Sequence, residues 1–144
     1  MKKLITMSVL ATAICFGACA QKIDASKVPA AAKASFEKKY PGTKATWELE
    51  DGKYEVSFKQ NGNPTSVLID EKGVISETEM DIKMTDLPAT AQAYIKEHYK
   101  GKSIKETTKI TNGDGSINYE AEIAGKDVMF DAGGKFLKEI EKKD

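Results

Sequence analysis

Arginine is absent: all 22 basic residues of the 144-residue chain are lysine. That removes the planar, bidentate fork with which proteins grip phosphate and guanine, and against 22 acidic residues the lysines leave no net charge, so nucleic acid is not an expected partner. Histidine occurs once, at His98, and cysteine only at Cys15 and Cys19. A zinc site needs several such ligands, so no metal or other cofactor is expected. His98, flanked by Glu97 and Tyr99 on a helical stretch, reads as a surface residue rather than a general base, because no Cys or Ser-centred nucleophile accompanies it.

The leading twenty residues form a unit of their own. Lys2 and Lys3 precede the apolar run "LITMSVLATAICFG", and "ACA" places small residues before Gln21. This is the pattern of an export signal over residues 1–20, and its apolar run is short for a bilayer span. Cleavage after Ala20 would leave Gln21 first and remove both cysteines, giving a periplasmic or secreted product. The alternative is a lipobox, "FGAC", with a lipid anchor on Cys19; the Phe standing where Leu is expected favours the first reading. Neither leaves a transmembrane segment. Without the leader the chain carries 20 lysines against 22 carboxylates, a net charge of −2. It then has no cysteine pair, so it relies on packing rather than disulfides, and its length suits one compact domain, residues 21–144.

What the chain does have is a repeat. "VPAAAKASFEKKYPG" begins at Val28 and "LPATAQAYIKEHYKG" at Leu87, with six of fifteen positions identical. Ala32, Phe36 and Tyr40, like Ala91, Ile95 and Tyr99, recur at helical spacing, with charged residues on the remaining turns. Pro29 and Pro88 suit a first helical turn, and Gly42 and Gly101 suit its end. Period two follows. Trp47 and Leu49, then Tyr54, Val56 and Phe58, alternate with polar residues, and Ile104, Thr108 and Ile110, then Tyr119, Ala121 and Ile123, answer them. Such alternation marks antiparallel strands with one dry and one wet face, and the Gly-containing runs at Asp51-Gly52, Asn61–Pro64, Asn112–Gly115 and Ala132–Gly134 are the reversals. Although "NGDGSINYE" places oxygen ligands at alternate positions, Ile117 and Ile123 stand where a calcium loop requires Gly and Glu, so a hairpin is the better account.

These patterns predict an α+β fold: two tandem repeats, 28–82 and 87–141, each a helix followed by four strands, fused into one antiparallel sheet with both helices packed on one face. Units of this size bury little alone, and a shared core is expected. The aromatic residues Trp47, Tyr54, Phe58, Tyr119 and Phe130 fall at core-facing positions rather than forming a ligand box.

A helix opening on "LP", closing on an aromatic and "G", and leading into an antiparallel meander, twice behind an export signal, resembles the PepSY-like family of secreted proteins, which is similar to beta-lactamase inhibitory protein. The resemblance extends over Val28 to Glu141. It implies a tandem fold with an open sheet face and a binding or inhibitory role rather than catalysis. Two departures separate this chain from the lactamase inhibitor. Its mature form has no cysteine pair, and its expected wet face is polar: Thr46, Glu48, Glu55, Ser57, Lys59, Lys105, Thr107, Lys109, Asn118, Glu120 and Glu122. Only Leu68 and Met129, equivalent positions of the two repeats, would place apolar groups on that face, as partner sites do. The expected function is therefore an exported, non-catalytic, inhibitor-like module binding a protein partner through the open sheet face at Leu68 and Met129. The alternative is an envelope carrier holding a small apolar ligand between helices and sheet, against which the Ala-rich helix stripe argues.

Overall fold

A computed structural model describes residues 21–142; the export signal and the anchor at Cys19 lie outside the described residues. Among the described residues nine strands form one sheet in chain order, every neighbouring pair antiparallel: β1 (Gln21–Ile23), β2 (Thr46–Glu50), β3 (Lys53–Gln60), β4 (Asn63–Ile69), β5 (Ile75–Asp81), β6 (Ile104–Asn112), β7 (Ile117–Ile123), β8 (Lys126–Asp131) and β9 (Phe136–Glu141). Helix α1 (Ala30–Lys39) connects β1 to β2, and α2 (Ala89–His98) connects β5 to β6. The sequence pattern predicts eight strands. The ninth, β1, is three residues too short to show alternation, and it pairs with Trp47 to Leu49. It gives the first half the strand–helix–meander order that β5 gives the second.

Local chemistry sets the repeat. Pro29 and Pro88 stand just before their helices, at φ −52° and ψ 141°, and their carbonyls accept the first helical hydrogen bonds, from Lys33 and Gln92. At the other end the chain turns at Gly42 and Gly101, with φ +67° and +77°, in the left-handed region that glycine enters at no steric cost. Asp70 and Asp131 close the last hairpin of each half alike. Asp70 Oδ1 accepts from the Lys72 and Val74 amides at 2.9 and 2.8 Å, and Asp131 Oδ1 accepts from Gly133 and Lys135, both at 2.9 Å.

The halves share a sheet but not a core. Beneath α1, Ala32 and Phe36 pack with Trp47, Val56, Phe58, Val67 and Ile69. Under α2, Ala91 and Ile95 pack with Ala121, Ile123, Val128 and Phe130. The two clusters have no residue in common, which corrects the expectation of one shared core. Residues at the junction supply the reason. On the helix side of β5 and β6 stand Thr78, Met80, Lys109 and Thr111, which line a shallow notch with Lys39, Tyr40 and Gln60, and polar groups there keep the apolar clusters apart. Within the first cluster Phe36 is the hub, its ring 5.6 Å from Trp47 and 5.2 Å from Phe58, both edge-on, the geometry aromatic quadrupoles prefer. Trp47, Phe58 and Phe130 are buried, and Tyr54 and Tyr119 pack against the clusters, so the aromatic residues fill the interior.

Candidate docking face

Among the described residues the opposite face of the sheet carries no helix. Its composition follows from register, because directly opposed residues of antiparallel strands point the same way. One row runs Lys22, Glu48, Glu55, Leu68, Glu77, Asn112 across β1 to β6. The next runs Thr46, Ser57, Ser66, Glu79, Ile110, Asn118. A third runs Asp81, Thr108, Glu120, Met129, Lys138. Leu68 therefore lies between Glu55 and Glu77, and Met129 between Glu120 and Lys138. Both are half-buried and stand opposite the core. They are four strand spacings apart, roughly 19 Å across the sheet, so the structure does not bring them into one contact patch.

Strand β6 departs from the alternation read in the sequence. A bulge between Ile104 and Glu106 shifts the register, so that Thr107 and Lys109, expected on the wet face, turn to the helix side, while Thr108 and Ile110, expected in the core, turn to the open face. One extra residue reverses every side chain beyond it. Thr107 Oγ1 accordingly donates to the Ile82 carbonyl at 2.6 Å. Ile110 is 5% exposed yet belongs to neither core cluster; it lies on the open face between Glu79 and Asn118. Sequence reasoning missed it because nothing in "IKETTKITN" marks the bulge.

Carboxyl groups dominate this face. Glu50, Asp51, Glu55, Glu77 and Glu79 surround Leu68 in an open cleft of about 360 Å³, together with Lys53 and Ser66. Desolvation, then a hydrogen bond that the protonated Glu79 carboxyl donates to Glu77, and the charges of Glu77, Glu120 and Glu55, push Glu79 up to about 8. Burial, with the charge of Asp127 next, pushes Glu120 up to about 7. Glu50 is raised by desolvation and by Glu55. Glu122 differs. It accepts from Lys142 Nζ at 2.7 Å and from Lys105 Nζ at 2.9 Å, and these bonds hold its carboxyl below the usual range. Lys105, at the bulge, thus reaches the wet face as expected.

Other singled-out groups fall elsewhere. His98 is exposed on α2 with its ring stacked on Tyr94 at 4.1 Å. In the Asn112–Gly115 run the Asp114 carboxylate accepts from the Ser116 amide at 2.8 Å and the Asn112 amide donates to Ser116 Oγ at 2.9 Å, the bonding of a hairpin turn. No helix among the described residues is long and apolar enough to cross a membrane.

Two helix-plus-meander units joined edge to edge, with both helices on one side, define a class of α+β repeat proteins that leave a broad sheet face uncovered. The chain belongs to the PepSY-like, beta-lactamase-inhibitor-like family, whose model matches residues 18–77 and 52–138. Among solved structures it is similar to a BLIP-like protein from Bacteroides fragilis, at 21% identity and TM-score 0.68, covering 81% of this chain and 89% of that one. A DUF2874 family protein from Bacteroides uniformis is similar at 20% identity and TM-score 0.72, covering 78% and 88%. A protein from Bacteroides eggerthii assigned to the periplasm is similar at 15% identity and TM-score 0.74, again covering 78% and 88%. At these identities the likeness is one of fold. No curated protein is similar enough to count as a relative.

Proposed function

We propose that this protein is an exported, non-catalytic module that binds a protein partner in inhibitor-like fashion through its open sheet face. The observation that carries this reading is the helix-free face itself, which sets Leu68, Ile110 and Met129 among carboxylates. An apolar group inside a polar surround supplies the desolvated centre that interfaces use, and the surround supplies the rim. Export is supported by the charged, apolar and small-residue order of residues 1–20, and by the periplasmic assignment of the Bacteroides eggerthii relative. Packing beneath the helices, where Ala32, Ala91, Val56 and Val128 have no exposure, favours a surface role over a carrier's cavity.

The test replaces Leu68 and Met129 together by Gln, which preserves net charge. Exposed-face substitutions of this kind usually change stability by less than about 0.5 kcal/mol, so the melting temperature should hold while capture of the partner retained by wild-type protein from envelope extract is lost. A double variant that unfolds, or that folds and captures the same partner, would take the site away from this face.

A further inference from the structure

Charge is distributed unevenly between the two sides of the molecule. The helix layer is basic: α1 carries Lys33, Lys38 and Lys39 against Glu37, and Lys100 and Lys102 follow α2. The sheet face is acidic. Around Leu68 the cleft holds five carboxyl groups and one ammonium, Lys53, whose Nζ lies 3.3 Å from Ser76 Oγ. Among the described residues every ion pair uses Lys105, Lys126 or Lys142, and none involves Glu50, Asp51, Glu55, Glu77 or Glu79.

We propose that the open face docks a lysine- or arginine-rich segment of its partner protein, with a basic side chain seated over Leu68 between Glu55, Glu77 and Glu79. This rests on the protein-binding reading above and adds the partner's chemistry. A long basic side chain matches the cleft at both ends, its methylene stem lying on Leu68 and its charged head among the carboxylates. Glu79, held up to about 8 chiefly by desolvation, has no counter-cation among the described residues, and a partner cation would favour its ionised form. The opposed charges of the two sides also orient an approaching basic surface toward the sheet.

The test uses the mature chain and a fluorescein-labelled nonalysine peptide, followed by anisotropy at about 0.15 M ionic strength, where the Debye length is about 8 Å. Two double variants remove two carboxyl groups each: Glu77→Gln with Glu79→Gln on the sheet, and Glu37→Gln with Glu97→Gln on the helices, the helix pair taking away the more negative charge at neutral pH because Glu79 is held protonated up to about 8. Nonalysine should bind the sheet variant roughly tenfold more weakly than wild type, and the helix variant within about twofold, since surface charges far from the cleft are screened. No binding by wild type, or equal loss in both variants, overturns the proposal. So does a calcium-induced rise in melting temperature that needs Glu77 and Glu79 while nonalysine is inert, which would give the cleft to an inorganic cation. Self-association of the free protein that disappears in the sheet variant would give the face to a second copy, and overturns it too. If the Leu68/Met129 variant loses its captured partner while the Glu77/Glu79 variant keeps it, the docking face stands and the basic partner does not.

Discussion

Gly134 lies against Ala91: a Cβ on the glycine would stand 2.8 Å from the Ala91 amide nitrogen and 2.7 Å from Pro88 Cβ. The β8–β9 turn therefore seats directly on the first turn of α2. Gly73 repeats the arrangement in the first half, where a Cβ would meet the Ala31 carbonyl oxygen at 2.6 Å. Gly125 provides the control, since it shares the left-handed backbone, φ +81° against +82°, but nothing among the described residues lies within 4 Å of its would-be Cβ. Gly125→Ala should cost only the backbone term, roughly 1–2 kcal/mol. Gly134→Ala should cost ~1–3 kcal/mol more, because backbone atoms of α2 must shift. Equal losses in denaturant unfolding would show that the turn does not bear on the helix.

Separate cores make a second prediction. Phe36 and Phe130 anchor clusters that share no residue. Each substitution to Ala should destabilise by about 3–5 kcal/mol. Interaction between them should be small, since sites without shared partners add to within ~0.5 kcal/mol. Milder probes, Phe36→Leu and Phe130→Leu, keep the double variant folded for the measurement. A coupling well above that limit would mean that the clusters communicate through the β5–β6 junction.

The exported form should begin at Gln21, without lipid, by intact mass. Gln21 opens β1, and Gln21, Lys22 and Ile23 pair with Leu49, Glu48 and Trp47. Cleavage after Ala20 leaves that strand whole. Anchoring at Cys19 would instead tie the sheet edge to a membrane within two residues of β1. A diacylglyceryl mass on Cys19, or failure of a Cys19→Ser chain to be processed, would reverse the assignment.

Periodicity reports elements faithfully where apolar residues are frequent. Phe36, Trp47, Val56, Val128 and Phe130 all lie where their spacing puts them, because each must turn into the layer between helix and sheet to leave water. The repeat of "LP" and "YPG" with "YKG" made the tandem architecture legible without any contact information. What escaped was register. "IKETTKITN" has isoleucines at equal parity, and only the bulge at Lys105 turns Ile104 inward and Ile110 outward. Pairing across strands, which no local pattern encodes, likewise gathers Glu55, Glu77 and Glu79 around Leu68. The acidic cleft is a property of β3, β4 and β5 together, so the apolar positions were readable and their surroundings were not.

Glu79 gives the face a pH signature. Its carboxyl is held up to about 8, above an ordinary value near 4.5 in the unfolded chain, so the folded protein binds a proton there that the unfolded one releases. The groups around it act in the same sense: Glu77 accepts a hydrogen bond from the protonated Glu79 carboxyl and, with Glu55 and Glu120, opposes a further negative charge, and no lysine among the described residues pairs with it. A raised pKa makes a contribution to stability that is complete below the unfolded value and is lost as pH rises through the folded one. Melting temperature should therefore decline from about pH 5 to about pH 9, with Glu120, pushed up to about 7, adding to the slope. Glu79→Gln keeps the hydrogen-bonding shape and removes the titration. Its curve should meet wild type near the acid end and lie above it at the alkaline end. Glu122→Gln should behave in the opposite way, because Lys142 and Lys105 hold that carboxyl below its usual range; its loss should be felt at neutral pH and shrink as acid protonates the wild-type group. Thermal unfolding of the three proteins from about pH 2 to about pH 9 checks both signs, and parallel curves for wild type and Glu79→Gln would mean that Glu79 titrates as a solvated surface acid.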